Sequence, residues 1–101
     1  MRHIVAFKYK DGTTEDQIQT ITEVFSQFPE KIPGIVDFEY GENNSPEGLH
    51  KGFNHVYVLT FDSEKSRDEY LPHPEHKKLK ELLDKMGILE DVFVIDYPLN
   101  N

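Results

Sequence analysis

Four segments of this chain read as β-strands, and apolar side chains occupy both of their faces. Side chains alternate from one face to the other along a strand. In the first segment, Arg2 to Lys10, His3, Val5, Phe7 and Tyr9 point one way and Ile4 and Ala6 the other. In "FNHVYVLTF", Phe53, His55, Tyr57, Leu59 and Phe61 oppose Val56, Val58 and Thr60. In "EDVFVIDY", Val92 and Val94 oppose Phe93, Ile95 and Tyr97. "IVDFEY" divides into Val36, Phe38 and Tyr40 against Ile35, Asp37 and Glu39. An antiparallel sheet with one wet face carries polar residues on it. These strands do not, so both faces of their sheet need a cover.

Two helical regions lie between the strands. After the Asp11-Gly12 turn, Thr14 with Gln17 fits a capping box. Ile18, Ile21, Val24, Phe25 and Phe28 then recur at helical spacing, until the prolines and glycine of "FPEKIPG" end the stripe. Asp62 or Ser63 caps the second region, Pro72 interrupts it, and Pro74 suits the first turn of a renewed helix. Leu79, Leu82, Leu83 and Met86 form its inner stripe, and Gly87 terminates it. The order is β-α-β-β-α-β. Right-handed crossovers make this an α+β, ferredoxin-like sandwich: a four-stranded antiparallel sheet of order 4-1-3-2 with the helices on one face.

Helices on one face leave Ile4, Ala6, Val56, Val58, Phe93 and Ile95 as a patch larger than a monomer tolerates. The simplest cover is a second copy of the chain, sheet against sheet about a two-fold axis, which gives a homodimer. Asp37 and Glu39 then belong at the rim. The 101 residues fit a single domain over 1–101. A net charge of −8 opposes nucleic-acid binding. The absence of cysteine removes disulfide and thiolate chemistry. No apolar run approaches the ~20 residues of a membrane span, and "MRHIVAFKYK" lacks the apolar core of a signal peptide. A cytoplasmic location without membrane or nucleic-acid partners is expected.

The chemistry concentrates in "EYLPHPEH" (Glu69 to His76). Two readings of Tyr70 and His76 stand. In the first they are an acid–base pair, with the imidazole as base and the phenol holding an oxyanion. In the second, a buried tyrosine hydroxyl is satisfied by a histidine that pins the joint at Pro72-Pro74. His3 and His55 share the helix-covered side, yet each begins its own strand in an antiparallel arrangement, which puts them ~15 Å apart. His73 reads as a cap or turn residue and His50 as solvated. Residues 42–48 form an acidic, glycine-bearing loop without the ligand spacing of a calcium loop. Phosphate-cradle and serine-hydrolase motifs are missing. No metal site and no cofactor is expected.

"RHIVAFKYKDGTTEDQI", "EKIPGIVDFEYGENNSPEG", "GFNHVYVLTFDSEKSRDEYLPHPEH" and "FVIDY" resemble, in order and spacing, the stress-responsive α/β-barrel domain (Dabb) family. The resemblance implies ferredoxin-like protomers whose dimer closes two sheets into a barrel. A plant polyketide cyclase similar to this family performs an intramolecular aldol condensation. Its Tyr–His pair falls on Tyr70 and His76, and two further pocket histidines fall on His3 and His55. By the same resemblance a small apolar pocket involves His3, Val5, Phe7, Phe25, His55, Tyr57 and Leu79. Tyr57 stands where that cyclase has a small aliphatic residue, which shortens the pocket. The functions implied are binding or transformation of a small carbonyl compound, with His76 as base and Tyr70 as its partner, or a non-catalytic stress-responsive dimer.

Overall fold

The chain alternates strands and helices as β1 (Arg2–Tyr9), α1 (Glu15–Ser26), α2 (Phe28–Lys31), β2 (Ile35–Glu42), β3 (His55–Phe61), α3 (Glu64–Tyr70), α4 (Pro74–Met86) and β4 (Leu89–Tyr97). This computed structural model describes residues 1–99; residues 100 and 101, the end of the single domain expected over 1–101, lie outside the described residues. The strands form one sheet in the order β2-β3-β1-β4, with every neighbouring pair antiparallel. The strand order and the ferredoxin-like class are those expected.

Each helical region is divided in two, and local chemistry explains where. Thr14 caps α1 through the full capping box: its hydroxyl accepts from the Gln17 amide while the Gln17 side chain accepts from the Thr14 amide. The helix closes at Gln27, and Pro29 then begins the single turn of α2, where its missing N–H costs nothing. "FPEKIPG" therefore continues the helical stripe by one turn before stopping it. In the second region Ser63 caps α3. The chain breaks at Leu71-Pro72, and α4 restarts at Pro74 and ends on Gly87 in the left-handed conformation, at φ 64°.

Ile21, Phe25, Phe28, Leu79 and Leu83 from the helices pack on Val5, Phe7, Tyr57, Leu59 and Phe61 from the sheet. Fully burying one such aliphatic or phenyl side chain contributes ~1.5–3 kcal/mol. Tyr57 is the centre of this layer. It is 0% exposed, stacks on Phe25 with ring centroids 4.5 Å apart, and meets Phe7 at 5.1 Å. Among the described residues no helix is long and apolar enough to cross a membrane.

Two assignments of strand face are corrected. Ile35, expected opposite Phe38 and Tyr40, lies with them on the helix side, while Val36 is 62% exposed. The cause is a bulge: Ile35 pairs with Phe61 but Asp37 with Thr60, so Val36 is an extra residue that resets the alternation. Phe53, expected on the helix side, packs against Phe93 on the other face, with ring centroids 6.0 Å apart. Regular pairing begins only at His55, and Phe53 belongs to the turn in which its amide donates to the His50 carbonyl.

Gly34 joins α2 to β2 at φ 91°, and a Cβ there would stand 2.4 Å from Ser66 Cβ and Oγ. Gly12 has a similar φ of 87° with nothing within 4 Å of the same position. Gly12→Ala should therefore cost only the left-handed strain, ~1–2 kcal/mol. Gly34→Ala should cost markedly more, because α3 must also move. Urea unfolding midpoints of the two variants, compared at unchanged m-value, check this.

Candidate active site

The break between α3 and α4 builds the site. In a continuous helix the Glu75 amide would bond the Leu71 carbonyl. Here it donates instead to Nδ1 of His73, at 3.1 Å, and His73 thereby caps α4. The Leu71 carbonyl is left free, and His76 Nδ1 takes it at 2.9 Å. A carbonyl only accepts, so Nδ1 of His76 carries the proton and Nε2 holds the lone pair. Burial lowers the pKa of His76, and nearby Lys80 adds to that shift against the pull of the Leu71 carbonyl. The ring is therefore neutral near pH 7, with its basic nitrogen turned away from the backbone.

Tyr70, the last residue of α3, is 1% exposed. Its ring packs between Phe61 at 5.2 Å and His76 at 4.3 Å, the latter stacked at 27°. The two aromatic faces meet, so the Tyr70 hydroxyl is not spent on His76. Among the described residues it has no hydrogen-bond partner and is not sealed from the adjoining cavity. Burial, with Asp96 adding to it, pushes its pKa up, so the phenol stays protonated as a donor.

Both side chains line an apolar cavity of about 280 Å³ between sheet and helices. Of the residues singled out from the sequence, His3, Val5, Phe7, Phe25 and Leu79 line it as well. Tyr57 and His55 do not. Tyr57 packs behind the lining residues Phe7 and Phe25, with its hydroxyl 2.8 Å from that of Tyr9 and 3.2 Å from that of Thr22. Beyond it, His55 bonds Tyr40 at 2.9 Å and lines a separate polar recess with Glu15, Thr22 and Glu42. His55 pairs with Phe7 while His3 pairs with Leu59. Four strand steps, ~13 Å, therefore separate the two histidines. No group of three or more potential metal-ligating side chains occurs among the described residues.

Reasoning from the sequence missed the partner of one lining residue. His3 is 5% exposed, and its Nδ1 lies 2.7 Å from Asp96 Oδ1. The other carboxylate oxygen of Asp96 accepts from Arg67 at 2.5 Å. Burial lowers the pKa of His3, and Asp96 opposes that shift. Strand parity held the signal, since Asp96 follows Val92 and Val94 on the helix side and pairs directly with His3.

Residues 1–99 match the family described as the Stress responsive A/B Barrel Domain, Dabb. The chain belongs to this family. It is 30% identical to the stress-response A/B barrel domain-containing protein HS1 of Arabidopsis thaliana over 97 residues, which cover 96% of this chain and 87% of that one. It is 24% identical to olivetolic acid cyclase of Cannabis sativa over 97 residues, covering 96% and 94%. Among solved structures, an Arabidopsis thaliana protein superposes with a TM-score of 0.89 at 29% identity, covering 99% of this chain and 95% of the other. Hydroxynitrile lyase from Passiflora edulis superposes at 0.85 with 25% identity, covering 98% and 92%. A protein from Thermobifida fusca, described as dimeric and ferredoxin-like, superposes at 0.75 with 26% identity, covering 97% and 89%.

Within this Dabb fold, one buried and two half-buried histidines make stability depend on pH. The pKa values of His3, His55 and His76 all lie below the ordinary 6.5 in the folded protein. The unfolded chain then binds more protons below ~6.5, so these residues disfavour folding increasingly as pH falls, and their contribution is flat above that value. Urea midpoints should rise between pH 5 and 6.5 and level off by 7.5, with a shallower rise in His76→Ala.

Proposed function

We propose that this chain forms a homodimeric catalyst that moves a proton on a small carbonyl compound. The observation that carries this reading is the tautomer of His76. The free Leu71 carbonyl keeps its proton on Nδ1, so Nε2 is a base at an apolar cavity beside an unbonded Tyr70 hydroxyl. In the step proposed, Nε2 takes a proton from the carbon next to the carbonyl. The C–H electron pair moves into the enolate, whose oxygen accepts a hydrogen bond from Tyr70. The enolate then attacks an electrophile or regains the proton. Imidazole and phenol suffice for this chemistry, and no cofactor is required.

Two similar proteins support a catalytic role through their names, a cyclase and a lyase. The substrate here is compact, because about 280 Å³ is at the small end of ligand pockets. The second reading, a non-catalytic dimer, is favoured by the packing of Tyr70 among Phe61, Phe28 and His3, which also serves the core.

The dimer uses the sheet face opposite the helices. There Phe93 and Ile95 are each 48% exposed, and Ile4, Ala6, Val56 and Val58 continue the patch. Asp37 and Glu39 lie beside Thr60 and Val58 on the edge strand β2, at the rim of such a contact.

Two measurements test these readings. The wild-type protein should accelerate exchange of the methyl protons of acetophenone in deuterium oxide, followed by proton NMR. His76→Ala should slow that exchange by about a hundred- to ten-thousand-fold, and Tyr70→Phe by about a hundredfold. Equal rates from wild type and His76→Ala would overturn the catalytic role. Separately, Ile95→Glu should run as a folded monomer in light-scattering chromatography where the wild type runs as a dimer, since each copy would bury a charge.

A further inference from the structure

The third polar group of the cavity is His3, and its surroundings fix what it can recognise. Asp96 accepts from Nδ1 of His3, so Nδ1 carries the proton and Nε2 is an acceptor. His3 lines the cavity, its ring 5.5 Å from that of Tyr70, and Nε2 is not among the sealed, unpartnered atoms of the described residues. Arg67 holds the second oxygen of Asp96, which keeps the carboxylate oriented. The tyrosine and the two histidines thus give the cavity one donor, the Tyr70 hydroxyl, and two acceptors, Nε2 of His76 and Nε2 of His3. Its remaining lining is apolar apart from Lys80.

We propose that Asp96 is a positioning residue that sets His3 to accept a hydrogen bond from a substrate hydroxyl, so that the site selects hydroxy-carbonyl compounds. Tyr70 holds the carbonyl oxygen, His76 faces the carbon acid, and His3 takes the hydroxyl. The carbonyl half rests on the function proposed above, while the hydroxyl half depends only on the tautomer of His3. An acceptor buried beside the ligand discriminates sharply, because an ether in place of the hydroxyl leaves it unpaired.

Asp96→Asn gives a directional test. Guanidinium has only donors, so Arg67 claims the amide oxygen and turns the amide NH₂ toward His3. Nδ1 must then accept, the proton moves to Nε2, and the cavity gains a donor where it had an acceptor. Nitrogen-15 NMR of the imidazoles should find the proton on Nδ1 of both His3 and His76 in the wild type. In Asp96→Asn it should find it on Nε2 of His3 alone. Titration with phenacyl alcohol and its methyl ether reads the consequence. The wild type should prefer the alcohol about tenfold, and Asp96→Asn should lose or reverse that preference.

His3→Phe keeps a ring between Phe61 and Tyr70 and should bind both compounds alike, which covers the case in which Asp96→Asn does not fold. Arg67→Gln, which keeps the carboxylate, should retain the wild-type tautomer and preference. Equal wild-type affinities for alcohol and ether, or a preference that survives His3→Phe, would overturn the proposal. Exchange of acetophenone protons that persists alongside either result would leave the role of His76 standing. Loss of that exchange with the alcohol preference intact would remove the carbonyl chemistry and keep the hydroxyl site.

Discussion

The break at Pro72 and Pro74 is the constraint from which the site follows. A helix running through residues 70–75 would pair the Leu71 carbonyl with the Glu75 amide and carry Tyr70 and His76 along one rod. Proline at 72 has no amide to give, and its ring opposes the helical path. The chain answers with two histidines, one for each half of the lost bond. His73 receives the orphaned amide, and His76 supplies the missing donor to the carbonyl. A repair of local backbone hydrogen bonding therefore sets the tautomer of the residue with the most accessible chemistry. The same bend stacks His76 on Tyr70 rather than letting it bond the hydroxyl. As in the second sequence-based reading of this segment, the histidine does pin the joint, but through the Leu71 carbonyl rather than the Tyr70 hydroxyl.

Burial then favours the neutral form of His3, His76 and Tyr70 alike. It lowers the pKa of His3 and His76 and raises that of Tyr70, so each is held in its neutral form. Neutral groups suit a cavity whose other walls are aliphatic and aromatic, since an unpaired charge there would be far more costly than a dipole. The one carboxylate admitted is Asp96, and it is accompanied by Arg67 and shielded from the cavity by His3. Tyr57 performs the corresponding task at the other end. Its ring completes the core and its hydroxyl bonds those of Tyr9 and Thr22, the latter lining the polar recess around His55.

The architecture was legible because it rests on repetitive signals. Element order, strand order, the Thr14 and Gly87 caps and the restart at Pro74 each follow from a residue type acting on its own backbone. What escaped the sequence involves one element acting on another. The bulge at Val36 depends on how β2 pairs with β3, and nothing in "IVDFEY" marks the extra residue. Phe53 looked like part of a strand because it is aromatic and in phase, but the turn at His50 redirects it. The cavity wall was divided in the same way. Tyr70, His76 and His3 stood out by type, whereas Asp96 did not. Its meaning lay in the residue opposite, at the far end of the chain.

That pairing also resolves a difficulty posed by the strands themselves. Alternation of apolar and polar residues normally fixes register, because a slip by one residue exchanges the two faces. In β1 and β4 both faces are apolar, so a slip that swapped Val5 for Ile4, or Val94 for Ile95, would cost little in burial. It would, however, turn Asp96 toward the outer face and leave His3 buried against an apolar neighbour, while stripping Arg67 of its main partner. An unpartnered polar group of that kind costs ~1–3 kcal/mol, and more when it is charged. The His3–Asp96 bond, set between directly opposed residues, supplies the discrimination that hydrophobic pattern cannot. Arg2 with Tyr97 and Lys8 with Glu90 reinforce it toward either end of the same strand pair. A sheet that is apolar on both sides needs polar pairs to keep its strands in step, and here the shortest of these three also holds His3 at the cavity.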